Sequence, residues 1–252
     1  MKNLIKIIVQ FFKDLFYDKK LGENFDIVAN GYKLKFREEL GPGIDWTKWD
    51  WREPWSGALN TYKGIVIWVK DNVIPCHPGV RLKATTDGKN DFCGLISSHK
   101  FLEVLYGYIL VRAKIPPRGI IYFPAIWMYN RQTQVPEIDI MEAMSVDSYS
   151  VSFCHHWEQN GRKSEGGNWT SPVDLSLDYH DYAVEWTPEK LVWTIDGVIR
   201  YVTINNIPQV PLFLICNIQA GGGNGTDVFT HIFTPAEVPA YFEINKIEVY
   251  QK

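Results

Sequence analysis

Three carboxylic acids stand close together in the run Pro136-Glu137-Ile138-Asp139-Ile140-Met141-Glu142. Acids are depleted from β-strands, yet these alternate with β-favouring isoleucines. On a strand, Glu137 and Asp139 fall on one face and Ile138 and Ile140 on the other. Glu142 is out of step by one residue. A β-bulge near Ile140-Met141 restores it, because two residues of a bulged strand oppose one on its neighbour. Glu137 and Glu142 are then about four strand steps apart, ~13 Å between Cα atoms. Side chains leaning inward bring the carboxyl groups to roughly 5–6 Å, the separation at which one carboxylate attacks a sugar while the other serves as acid and then base. The charge of Asp139, between them, keeps a proton on its neighbour. The competing readings are an acidic solvent-facing strand and a Ca²⁺ site. Mutual repulsion of three like charges on one face disfavours the merely solvent-facing strand.

The rest of the chain supplies many short strands to hold such a segment. Apolar or alternating runs at 64–70, 105–115, 120–129, 136–144, 149–156, 181–187, 190–196, 198–203, 211–219 and 242–250 are separated by turns. This spacing predicts a sandwich or jelly roll. At 252 residues the chain is long enough to bury a full core as one domain. We divide it into an N-terminal amphipathic helix or tail (1–20) and a single β-sandwich domain (21–252). Ten Trp and thirteen Tyr exceed what a core alone uses, and aromatic faces suit the apolar C–H faces of sugar rings. The Trp-rich stretch 44–60 (Trp46, Trp49, Trp51, Trp55) reads as a loop or cleft wall. A net charge of −3, with no basic run, argues against a nucleic-acid partner.

Several segments are similar, in order, to glycoside hydrolase family 16, the group of laminarinases, lichenases, agarases, carrageenases and xyloglucan-acting enzymes. They are Tyr106-Gly107-Tyr108, Val111-Arg112-Ala113-Lys114-Ile115-Pro116, Pro124-Ala125-Ile126-Trp127-Met128 and the acid run. Tyr182-Ala183-Val184-Glu185-Trp186-Thr187-Pro188, Trp193-Thr194-Ile195-Asp196-Gly197 and Ile247-Glu248-Val249-Tyr250 follow. The resemblance covers roughly residues 55–250. The spacing Glu-x-Asp-x-x-Glu resembles the bulged branch of laminarinases and agarases. It implies an all-β, concanavalin-like jelly roll of two curved antiparallel sheets, with a short N-terminal helix outside it. It further implies Glu137 as nucleophile, Glu142 as acid/base and Asp139 as the residue that tunes the pair.

A second tier is expected around the cleft. The resemblance places Trp127 against substrate and Arg112 near the cleft, and puts a subsite residue at His156. Asn217 and Gln219 share a strand face and can bind sugar hydroxyls. His155 points away from His156, and with no third ligand in view we expect no metal there. Departures from the family pattern are Leu110 for a sugar-binding glutamate, Phe123 for Trp, Val135-Pro136 before the first acid, Gln219 for Trp, and Asn245 for a calcium-binding Asp. A structural calcium is left open, and no cofactor is required. Cys76, Cys93, Cys154 and Cys216 lack metal-type spacing and read as free thiols, Cys154 and Cys216 buried; a Cys76–Cys93 bridge is the alternative.

The expected function is endo-acting, retaining hydrolysis of a β-1,3- or mixed-linkage β-1,3/1,4-glucan. An algal galactan is the second choice, with Arg131, Arg162, Lys163 and His156 as sulfate partners. A transglycosylase and a catalytically silent glucan-binding protein follow. Residues 1–20 carry Leu4, Ile5, Ile8, Phe11, Phe12, Leu15 and Phe16 at helical spacing. Lys6, Lys13 and Asp14 interrupt the apolar run a secretory signal needs. That helix is expected to pack on the sandwich rather than lie on a membrane. The substrate class implies an extracellular or cell-surface monomer acting on a polysaccharide.

Overall fold

Each apolar run becomes a strand in the computed structural model, and the strands form two sheets with their apolar faces together. The structure describes residues 20–41, 43–52, 61–62, 66–87, 89–117, 122–130, 132–133, 135–143, 147–220 and 239–252. The predicted N-terminal helix, Trp55, Arg131 and residues 221–238 lie outside them. No helix among the described residues is long and apolar enough to cross a membrane.

The strands are β1 (Lys33–Glu39), β2 (Thr61–Tyr62), β3 (Val66–Trp68), β4 (Val73–Pro75), β5 (Val80–Thr86) and β6 (Asp91–Cys93). Next come β7 (Leu95–Ser97), β8 (Glu103–Val104), β9 (Gly107–Lys114), β10 (Tyr122–Tyr129), β11 (Glu137–Glu142) and β12 (Ser150–Glu158). The last six are β13 (Arg162–Thr170), β14 (His180–Trp186), β15 (Leu191–Ile195), β16 (Val198–Thr203), β17 (Leu212–Ala220) and β18 (Ala240–Gln251). One sheet runs β16-β15-β14-β9-β18-β5-β6-β3-β2, with β1 beside β18 and β4 beside β5. The other, which carries the acids, runs β13-β12-β11-β10-β17-β7, with β8 beside β17. Among the described residues every pairing is antiparallel except β3 with β6.

The core between the sheets is aromatic and β-branched. Trp68, Trp186, Trp193, Phe153, Phe213 and Phe242 are fully buried. Trp49 belongs here too, buried in the core instead of lining a cleft, while Trp46 and Trp51 pack half-buried against it. A smaller cluster covers the outer face of the first sheet. There Phe25 stacks on Tyr108 (4.8 Å, 9°), beside Tyr32, Leu110 and Ala183.

Strands β1, β2, β4, β5, β6, β7, β8 and β13 have no counterpart among the predicted runs, and for β1 and β13 there is a physical reason. β1 (KLKFREE) and β13 (RKSEGGNWT) are largely exposed, so their side chains are mostly polar. β13 is held in a hairpin with β12, which turns at Gln159-Asn160-Gly161 with Asn160 and Gly161 at φ 54° and 101°. Gly166, opposite Cys154, lies so near the next strand that a Cβ there would sit 2.0 Å from the Phe153 carbonyl oxygen. Gly166→Ala must displace β13. We expect a loss of about 1–3 kcal/mol, as for overpacking elsewhere, read as a lowered urea midpoint at unchanged m-value.

Candidate active site

The bulge forms where the acid spacing requires it. Against β10, Met141 faces Ile126 and Asp139 faces Trp127, so Ile140 has no partner. Against β12, Asp139 faces Cys154 and Glu142 faces Ser152, three steps on one strand against two on the other. Glu137, Asp139 and Glu142 thus share one face, and Ile138, Ile140 and Met141 are buried in the core. A bulge leaves backbone groups without ladder partners. Here the indole N–H of Trp193, reaching across the sandwich from β15, donates to the Asp139 carbonyl at 2.8 Å.

Cross-strand register defines the rest of this face. β12 contributes Ser152, Cys154 and His156, and β13 contributes Arg162, Ser164 and Gly166. β10 contributes Phe123, Ala125, Trp127 and Tyr129, and β17 contributes Asn217 and Gln219. Arg162 donates from Nη2 to Glu137 Oε1 at 2.8 Å. His156 Nε2 is 3.0 Å from Asp139 Oδ2 and 3.5 Å from Glu137 Oε1. The indole of Trp127 donates to Asn217 Oδ1 at 2.7 Å, so part of the Asn217 amide already orients the aromatic. His155 points to the other side, is fully buried, and meets the Asn205 carbonyl at 2.9 Å.

Burial dominates the electrostatics. It pushes Glu137 up to about 7, aided by the Asp139 charge and opposed by His156 and Arg162. Burial also raises Asp139 to about 7, with Arg162 pulling it down. Glu142 is pushed well above the carboxylate range by burial, then by the charges of Asp139 and Glu137. Arg162 hydrogen-bonds Glu137 and not Glu142, which favours the ionised form of Glu137 over that of Glu142. Burial pulls His156 below its ordinary value, opposed by the charge of Glu137.

Of the predicted residues, the structure gathers the three acids, Trp127, His156, Asn217 and Gln219 on one face. Arg112 is a correction. It lies on the outer face of the opposite sheet, between core-facing Val111 and Ala113, and pairs with Asp181 at 3.0 Å. Leu110 shares that outer face, so its departure from the family pattern does not touch the site. Cys154 is a second correction: it is half-buried on the acid face. No disulfide joins Cys76 to Cys93, so the alternative bridge is absent. The view that His156 lacks metal-ligating company is also corrected, because Asp139 and Cys154 stand beside it. The sequence offers Arg162 only as a sulfate partner. The Asn160-Gly161 hairpin signal, followed through, pairs Arg162 with Glu158 and places it next to Glu137. Lys163, its neighbour on the strand, belongs to the opposite face. Asn245, which stands where the family pattern has a calcium-binding Asp, is hydrogen-bonded through both its side chain and its backbone. Its side-chain N–H donates to the Pro78 carbonyl at 2.6 Å, and its own carbonyl accepts from Leu40 N–H at 3.1 Å.

A two-sheet sandwich with a bulged, three-acid strand defines the class of carbohydrate-active β-sandwich proteins. The chain belongs to the glycosyl hydrolases family 16, which it matches over residues 61–233. It is 28% identical to "Glucan endo-1,3-beta-glucosidase A1" of Niallia circulans over 93% of this chain, but spans only 40% of that protein's length. It is 29% identical to a "Beta-glucanase" of Bacillus subtilis (strain 168), covering 87% of this chain and 86% of the relative. The catalytic domain of an endo-1,3-beta-glucanase (laminarinase) from Thermotoga petrophila RKU-1 has the same fold. Its TM-score is 0.73 at 23% identity, over 88% of this chain and 98% of that one.

Raised carboxyl pKa values set the sign of the pH dependence. Folding favours the protonated acids, so their contribution is complete below about pH 4 and is lost as pH rises through about 7. Glu142→Gln removes one buried charge without changing shape. At pH 8 we expect about 1–3 kcal/mol of added stability and a melting temperature several degrees higher. At pH 4 the two proteins should melt together, which calorimetry at both pH values checks.

Proposed function

We propose that this protein is a retaining, endo-acting hydrolase of a β-1,3- or mixed-linkage β-1,3/1,4-glucan. The observation that carries the reading is the division of labour on the acid face. Among the described residues Glu137 is the acid that accepts a hydrogen bond from Arg162, whereas Glu142 has the charges of Asp139 and Glu137 raising it and no hydrogen-bonded cation. An ionised nucleophile and a protonated acid are what double displacement at a sugar requires. The names of the relatives from Niallia circulans and Bacillus subtilis support a β-glucan substrate.

In the first step Glu142 donates its proton to the glycosidic oxygen while Glu137 attacks the anomeric carbon. The leaving chain departs with that proton. Glu142, now a carboxylate, takes a proton from water, and the resulting hydroxide displaces Glu137 and restores the original configuration. Asp139 keeps Glu142 protonated by its charge, while His156 and Arg162 hold the carboxylates in place. Trp127, fixed by Asn217, offers its ring to a sugar face, and Gln219 offers hydrogen bonds. A sulfated galactan finds less support: Arg162 is engaged by Glu137, and Lys163 lies on the other face of its strand.

Incubation with laminarin, lichenan, agarose, porphyran and carrageenan, followed by mass spectrometry, tests the reading. Oligosaccharides should appear from laminarin or lichenan and vanish with Glu137→Gln, at a cost of at least about 10³-fold in rate. Products from a galactan alone would overturn the substrate assignment. Asp139→Asn removes the charge that raises both glutamates. Both limbs of the pH–rate profile should therefore move to lower pH, and an unchanged profile would remove its tuning role.

A further inference from the structure

The acid face holds a group that hydrolysis does not use. Cys154 lies directly across from Asp139, with His156 two residues on, and one ligand atom from each of Asp139, Cys154 and His156 lies within 4.8 Å of the others. We propose that Asp139, Cys154 and His156 form a binding site for a borderline-soft divalent cation of the zinc type, and that occupancy blocks the acid face.

The donor set is specific. A thiol, an imidazole and a carboxylate suit Zn²⁺, whereas Ca²⁺ and Mg²⁺ take oxygen ligands. Tetrahedral zinc with bonds of about 2.0–2.3 Å holds its ligand atoms roughly 3.3–3.8 Å apart. The 3.0 Å between His156 Nε2 and Asp139 Oδ2 is already near that spacing, and the Cys154 thiol belongs to the same cluster of ligand atoms. Glu137 Oε1, 3.5 Å from His156 Nε2, stands where a fourth ligand or a bound water belongs. His156 Nδ1 is buried with no hydrogen-bond partner among the described residues, and Nε2 is the ring nitrogen that faces the two acids.

Charge favours the ion as well. Three carboxyl groups crowd this face, and Arg162 is the one cation hydrogen-bonded to them among the described residues. The same burial and the same acids push the Cys154 thiol up to about 12, so without metal it stays protonated and unreactive. Binding forms the metal–sulfur bond and releases the thiol proton to solvent.

Titration of the full chain with Zn²⁺ and Co²⁺ tests this without any polysaccharide. One ion should bind per chain, and Co²⁺ should give the near-ultraviolet thiolate-to-metal absorption. Cys154→Ser should abolish that absorption and weaken Zn²⁺ at least ten-fold, and His156→Gln should weaken it similarly. Excess Ca²⁺ should not compete. No uptake by the native chain, or a thiolate absorption that survives Cys154→Ser, would overturn the site. The consequence for catalysis rests on the hydrolase reading: saturating Zn²⁺ should cut glucan hydrolysis at least ten-fold, reversibly with chelator. A chain that binds Zn²⁺ but cleaves no glucan would sink the hydrolase reading and leave the metal site standing.

Discussion

The acid face depends on one displaced residue. Without the bulge at Ile140, strand alternation would send Glu142 into the core and Met141 to the cleft. The bulge is fixed from behind, where Trp193 donates to the Asp139 carbonyl across the sandwich. A buried carbonyl left without a donor costs about 1–3 kcal/mol, so that indole ties the curvature of one sheet to the packing of the other. Isoleucines and a methionine on the core side anchor the same strand in an apolar layer. The chemistry on one face is thus positioned by the hydrophobic effect on the other.

Placing three carboxyl groups there is costly. Burial raises all three, and each charge raises the next. The face is therefore less stable as the acids ionise, the opposite of an ordinary surface carboxylate. Arg162 and His156 partly offset this, and they act on Glu137 and Asp139 more than on Glu142. The asymmetry makes the three acids unequal and gives each a different part in the proposed reaction. It also leaves an electron-rich corner, where a half-buried thiol makes the face a match for a soft cation.

Much of this was legible in the sequence. The Glu-x-Asp-x-x-Glu spacing required a bulge, and strand alternation separated His156 from His155. Apolar runs marked the strands that face the core. Strands facing water on both sides of their pattern were harder: β13 has no apolar alternation, and its existence follows only from the Asn160-Gly161 turn. Arg112 went astray because alternation shows that neighbours differ in face, but not which sheet the strand joins. Cys154 looked like a core thiol because its neighbours Val151 and Phe153 are core residues, while its own position shares the phase of His156. Pairing partners, which a single sequence does not specify, decided each of these.

The most direct test of the account is the configuration of the sugar first released. Proton magnetic resonance of a laminarin or lichenan digest, recorded before mutarotation, distinguishes the two anomers. Attack by Glu137 followed by water predicts the β-anomer as the initial product. An initial α-anomer would mean a single displacement by water, and would contradict the role assigned to Glu137.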